Sequence, residues 1–380
     1  MKRFAQWVAV MLATVAVMVI ARQPEFWQRY GRALVQGSDL PVSFYEPRER
    51  VEGGNEPPAP RVSPALESLD PAALQLAADY AADRGTRALI VTRHGHIVFE
   101  RYWRGTDFNT LEDSQPLITL ATALLTGIAI GDRRIGWPDE PIGNFIPEWR
   151  NDARGSITVR NLLKRSSGLA PPGSPVTPWS AAARERFGPD ITAEYLQQRL
   201  VATPGATWTD QAADAQLLSL VIERAAGTRF SDYLSVALWR RIGAADGWLW
   251  LDREGGTAHA DCCFLARQGD WIRVGELLVD NGRYQGDEIV PPGWVAQMLP
   301  PAQSQPMAEA YAAKDLVAVG GGGHRLWVVP SMHLVILRAG AAVHDWDDSR
   351  IPNAILRGAR DYVPPQARPG VDLSTLVPNH

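Results

Sequence analysis

Behind Lys2 and Arg3 an apolar run extends from Phe4 to Ala21, broken only by Gln6 and Thr14. At about 18 residues it stands at the lower limit for a membrane-spanning helix and beyond the usual core of a secretory signal. Its length favours a retained anchor over a cleaved signal, although Val19-Ile20-Ala21 offers a cleavage site. Positive residues on the short leading side predict that end inside and the body exported. The expectation is a single pass through an inner membrane, with the body in the periplasm or another extracytoplasmic space. Trp27 and Tyr30 suit the outer interface. From Pro41 to Ser63 the apolar positions thin out among Pro, Glu and Gly, which predicts a linker that buries no core. The organisation expected is an anchor or signal over 1–22, a juxtamembrane segment and linker over 23–66, a body over 67–365 and a tail over 366–380.

Within the body the pattern alternates between two periods. Asp70-Pro71 opens an amphipathic helix that ends by Gly85. Residues 88–92 and 96–103 read as a hairpin turning at His94-Gly95, where both histidines serve the turn. Asp113 or Ser114 is placed to cap a long apolar helix entered through Pro116 and stopped at Gly131. Residues 142–149 form a short loop element. Thr158 caps a helix ended by Gly168, and a Pro-rich loop follows to Pro178. Further helices are predicted over 192–200, 213–226, 231–241, 268–280 and 351–362. Strands are predicted over 324–329 and 334–338. Strands at both ends with helices between them predict one sheet built from both ends of the body, plus a helical insert.

Composition removes several function classes. With 380 residues, 46% hydrophobic content and a net charge of −4, the chain lacks the basic stripe and the motifs of a nucleic-acid partner. No cofactor motif and no metal-ligand spacing is present, and His333 and His344 near Asp345, Asp347 and Asp348 read as a solvated turn. Cys262 and Cys263 are adjacent, so they staple no long loop; they are expected as two small apolar side chains rather than a strained vicinal disulfide. Lysine occurs only at positions 2, 164 and 314.

Six stretches, in order, resemble the β-lactamase-related serine hydrolases, in the branch of class C-like esterases and 6-aminohexanoate-dimer hydrolase. They are ALIVTRHGHIVFERYW, LLTGIAIGDRRIGWPDEPIGNFIPEW, ITVRNLLKRSSGL, PGATW with DAQLLSLVIERAAG, DNGRYQGDEIVPPGWV and GGGGHRLWVVPSMHLVILRAG. The resemblance implies an α/β fold like that of β-lactamases and penicillin-binding proteins: an antiparallel sheet flanked by helices, an all-helical subdomain, and a site in the cleft between them.

That chemistry needs three motifs, and none is intact. In gap-free register Pro116 takes the place of the nucleophilic serine of Ser-x-x-Lys and Thr119 that of its lysine. Lys164 and Lys314 are preceded at three residues by Asn161 and Tyr311, so the motif is nowhere else in the chain. Asp210 and Ala212 stand at the tyrosine and asparagine of Tyr-x-Asn. Gly321 stands where the Lys-Thr-Gly strand carries an aromatic residue or histidine. The expectation is a β-lactamase-fold protein without the family's reaction, binding a small-molecule or cell-envelope ligand in the old cleft, with no cofactor and no metal. Two alternatives stand beside it. One is a rewired hydrolase of amides or esters using Asp210, His324 or Ser114. The other is an envelope scaffold, for which Ser114 and Asp210 are caps and His324 fills a structural place.

Overall fold

The β-branched stretch of residues 86–102 forms a hairpin whose first strand pairs with the last strand of the body. The computed structural model describes residues 20–37, 40–174, 177–209, 213–299, 310–321, 323–343 and 346–364, with residues 4, 7 and 11 ahead of them. In chain order the helices are α1 (Pro24–Gln36), α2 (Pro71–Ala82), α3 (Leu117–Gly131), α4 (Val159–Leu163), α5 (Ala181–Phe187), α6 (Ile191–Leu196), α7 (Ala213–Ala226), α8 (Phe230–Leu234), α9 (Gln268–Val279), α10 (Trp294–Met298) and α11 (Arg350–Arg357). The strands are β1 (Arg48–Val51), β2 (Thr86–Arg93), β3 (His96–Tyr102), β4 (Leu111–Asp113), β5 (Gly247–Trp250), β6 (Phe264–Arg267), β7 (Arg283–Tyr284), β8 (Asp287–Glu288), β9 (Val317–Gly321), β10 (His324–Val329) and β11 (Leu334–Gly340).

An antiparallel five-stranded sheet in the order β3-β2-β11-β10-β9 joins the two ends of the body. Helices α2 and α11 cover one face, where Leu74, Ala78, Ile351 and Ile355 are buried. Helices α3 and α9 belong to the larger cluster on the other side, and α4, α7 and α8 extend it as the helical insert. Helix α3 is apolar almost all round because most of it is enclosed, with Thr119 and Ala123 only half-buried. Leu117, Ile118, Leu124 and Leu125 are fully buried, each favoured by about 1.5–3 kcal/mol of transfer free energy.

Several helix ends follow their caps. The Asp70 carboxylate accepts from Ala72 N–H, and Thr158 and Asn161 form a reciprocal capping box. The helix after Thr158 nevertheless stops at Leu163, before Gly168, because Arg165 turns left-handed.

The stretch expected as a coreless linker is a correction. Phe44, Tyr45 and Val51 are buried, and β1 pairs with β5 in a second antiparallel sheet, β1-β5-β6-β4, that the pattern had not announced. Helix α1 also lies against the body, burying Phe26 and Tyr30 beside Phe187. Among the described residues no helix is long and apolar enough to cross a membrane. Most of the run from Phe4 to Ala21, and the tail over 366–380, lie outside those residues.

Candidate functional site

The entry to α3 is shaped by one buried carboxylate. Asp113 Oδ1 accepts from the N–H of Gln115 and of Cys263, each at 2.9 Å, and its Oδ2 accepts from the Tyr45 hydroxyl at 2.9 Å. Burial raises the Asp113 carboxyl above its ordinary range, against the pull of Arg186 and of those hydrogen bonds. Gln115 is held left-handed at φ 50°, and its side-chain oxygen accepts from Gly323 N–H at 2.9 Å. Helix start and β9–β10 turn are thereby tied together.

Pro116 is the cap residue, with no side-chain hydrogen bond to the helix. It faces Gly321: a methyl group added to that glycine would stand 3.7 Å from Pro116 Cγ. The positions paired by sequence register are therefore neighbours in space, and they present a pyrrolidine ring and a bare backbone. The Thr119 hydroxyl donates to the Pro116 carbonyl at 2.7 Å, so it closes the first turn.

Ser114 does not cap the helix with its side chain. Its hydroxyl accepts from the Trp271 indole N–H at 2.8 Å in a fully enclosed place, and only its carbonyl meets Leu117 N–H. His324 is also enclosed. Its Nε2 lies 3.2 Å from the amide nitrogen of Gln268 and 3.8 Å from Glu112 Oε2, while Arg87 pairs with Glu112 at 2.7 Å. Burial, then Arg87 and Arg338, push its imidazole down to about 3, so it is neutral near pH 7. A neutral ring walled off in this way suits structural support better than proton transfer in a cleft. Asp210 and Ala212 lie outside the described residues, as do His344 and Asp345.

Ser166 and Ser167, the other serines near the cleft, are buried, and Ser167 donates to Asp214 at 2.6 Å. His94 and His96 both meet Glu67, at 2.6 and 2.8 Å, and so secure the β2–β3 turn.

A cleft of about 740 Å³ opens beside α3. Thr119 and Leu120 form one wall, Gly320 lies along the β9 edge, and Lys164, Trp208 and Trp294 come from the insert and from α10. Trp294 lies across Gly127, where an added methyl would come within 2.4–2.6 Å of its ring, and its indole N–H donates to the Ala123 carbonyl at 3.0 Å. None of these aromatic or basic lining residues was singled out by the three motifs. Their traces were the glycine inside an apolar helix and the tryptophan of PPGWV. The lining is mostly apolar with cationic groups at the insert side, and among the described residues it holds no serine or cysteine.

One expectation is overturned outright. Cys262 and Cys263 are joined by a disulfide with an S–S distance of 2.00 Å. Cys263 is left-handed at φ 67°, and the turn brings the two sulfurs together.

The sequence profile described as Beta-lactamase matches residues 75–337. The 6-aminohexanoate-dimer hydrolase of Paenarthrobacter ureafaciens is 25% identical over 297 residues, covering 69% of this chain and 73% of its own. Among solved structures, a Bacillus anthracis protein assigned as a 6-aminohexanoate-dimer hydrolase superposes with a TM-score of 0.70 at 18% identity. That match covers 86% of this chain and 93% of the other. A family VIII carboxylesterase superposes at 0.59 with 14% identity, over 76% and 98% of the two chains.

Proposed function

Because this chain belongs to the Beta-lactamase family, a family of hydrolase fold, we propose that it is a member without the acyl-transfer reaction that uses the inherited cleft to bind a ligand. The observation that carries this reading is the meeting of Pro116 with Gly321 at the mouth of α3. A proline offers no nucleophile, and Thr119 spends its hydroxyl on the Pro116 carbonyl. Ser114 and His324, the candidates for a rewired hydrolase, are enclosed and engaged elsewhere. An open cleft favours ligand binding over a scaffold whose old site is filled.

The lining narrows the ligand class. Leu120, Trp208 and Trp294 suit an apolar body, and Lys164 at the insert side suits an anionic end. A medium-chain carboxylate is expected to bind at least about tenfold more tightly than its methyl ester, since a charge-assisted hydrogen bond contributes about 1.5–3 kcal/mol. Lys164→Ala should reduce that preference in calorimetric titration, the neighbouring Arg160 and Arg165 retaining part of it. In parallel, a fluorophosphonate or penicillin probe should leave the intact mass of the protein unchanged. A stoichiometric covalent adduct would overturn the loss of the reaction, and equal affinity for acid and ester would overturn the ligand class.

The apolar run behind Lys2 and Arg3 supports a membrane-anchored body outside the cytoplasm, as does a disulfide, which persists in oxidising compartments. Protease treatment of cells with a permeabilised outer envelope should degrade the body. Full protection there would place it in the cytoplasm instead.

A further inference from the structure

The segment after β5 carries a buried group that the cleft does not use. His259 is fully enclosed, its ring stacked on Trp250 at 4.3 Å and 16°, and neither ring nitrogen has a hydrogen-bond partner. Packing alone does not account for two unanswered polar atoms at such a place, because buried polar groups are paired in most folds. Asp261 Oδ1 stands 3.8 Å from His259 Nδ1 and is itself buried without a partner. Cys262 Sγ completes a group whose ligand atoms all lie within 4.8 Å of one another. Zinc holds nitrogen, oxygen and sulfur at about 2.0–2.3 Å in a tetrahedron, so its ligand atoms stand roughly 3.3–3.8 Å apart. Closing this set onto such an ion takes side-chain movements of about an ångström.

What blocks the site is the bond between Cys262 and Cys263, since the metal ligand is a thiolate rather than a disulfide sulfur. We propose that reduction of the Cys262–Cys263 disulfide opens a binding site for one zinc-class divalent cation, held by His259, Asp261 and the Cys262 thiolate. A dithiol reductant supplies two electrons and two protons: the S–S bond becomes two thiols, and the reductant becomes a disulfide. Cys262 then releases its proton to water as its sulfur joins the metal. Arg186 Nη1, 3.2 Å from Cys262 Sγ, favours that thiolate. Cys263 is not one of the ligands: the ligand atoms that all lie within 4.8 Å of one another belong to His259, Asp261 and Cys262. Imidazole, carboxylate and thiolate together select a borderline cation over calcium or magnesium, which take oxygen ligands. The site is independent of the cleft and of the reading given to it.

The test uses the full chain in mild detergent, with Co²⁺ as the probe. A water-soluble phosphine reduces the disulfide, taking its oxygen from water to become the phosphine oxide, and is removed without air. The reduced chain is expected to bind one Co²⁺ with thiolate-to-cobalt charge-transfer absorption, and Zn²⁺ should displace it. The oxidised chain should show no such band. Cys262→Ala and Asp261→Asn should each weaken binding at least about tenfold. Cys263→Ser, which cannot form the bond, should bind Co²⁺ without reductant, within about threefold of the reduced wild-type chain. This variant keeps every proposed ligand and decides the matter even where a substitution at His259 prevents folding. Absence of the band from both the reduced chain and Cys263→Ser would overturn the proposal, as would a band that survives Cys262→Ala.

Discussion

Replacing Glu276 by glutamine tests whether α9 carries a buried charge at a measurable cost. Glu276 lies on the side of α9 that meets β2, and its carboxyl accepts from the Thr92 hydroxyl. Burial raises that carboxyl from 4.5 to about 7; the Thr92 hydrogen bond opposes the rise and the charge of Asp280 reinforces it. A raised acid keeps its proton in the folded state while the unfolded chain has already released it. Stability therefore falls as pH climbs from about 4.5 to about 7, and the loss is complete above that window. Each tenfold change in proton affinity is 1.36 kcal/mol, which sets a ceiling of about 3 kcal/mol; water at the partly exposed side chain trims it to about 2–3. Glutamine preserves an acceptor for Thr92 and carries no charge. Urea unfolding of both proteins at pH 4, 6 and 8 should show near-equal stability at pH 4 and a glutamine variant more stable by about 2–3 kcal/mol at pH 8. A difference that stays constant with pH, or that widens toward acid, would refute the reasoning.

Ser114→Ala leaves the enclosed Trp271 indole without its acceptor and should cost about 1–3 kcal/mol in denaturant unfolding. If the chain shows any ester turnover, this change should leave it untouched, and loss of turnover would return Ser114 to the chemistry. Gly127→Ala forces a methyl into the Trp294 ring, so stability should drop by roughly 1–3 kcal/mol despite the better helix former, and affinity in the adjoining cleft should weaken. An unchanged unfolding midpoint would mean that Trp294 swings aside freely. His324, pushed down to about 3, should show no imidazole titration by NMR between pH 5 and 8; a midpoint near 6 would mean that the ring is far more hydrated than its surroundings indicate.

What the sequence made legible were the elements whose signal is local. Asp70-Pro71 and Thr158 with Asn161 announce helix starts by side-chain capping, residues 213–226 carry a helical period, and residues 324–329 a short apolar run fit for a buried strand. The four-stranded sheet had no such signal. Its strands are three or four residues each and come from distant parts of the chain, so pairing defines them rather than pattern. Proline and glycine around residues 41–63 masked Phe44, Tyr45 and Val51, whose burial depends on partners some 200 residues away. Motif register assigned Pro116 and Gly321 to two positions of one site, and the two residues are neighbours in the fold. The fate of the Ser114 hydroxyl could not be read that way, since a cap and an acceptor for a distant indole look alike in five residues of sequence. Adjacent cysteines were misjudged because a left-handed Cys263 is a property of the fold, held by Asp113 and the ends of two strands.

Strand β1 has a practical consequence for anyone shortening this protein. It lies at the rim of its sheet and satisfies one full side of β5 from Gly247 to Trp250. A recombinant fragment begun after the proline-rich stretch would leave that row of amides and carbonyls bare, with Trp250 stripped of Phe44 and Tyr45. Such an edge recruits strands from other molecules, so the fragment should precipitate or swap segments during expression. The sensible starting point for a well-behaved fragment is the beginning of α1, near Pro24, because α1, Phe44, Tyr45 and β1 all pack against the body.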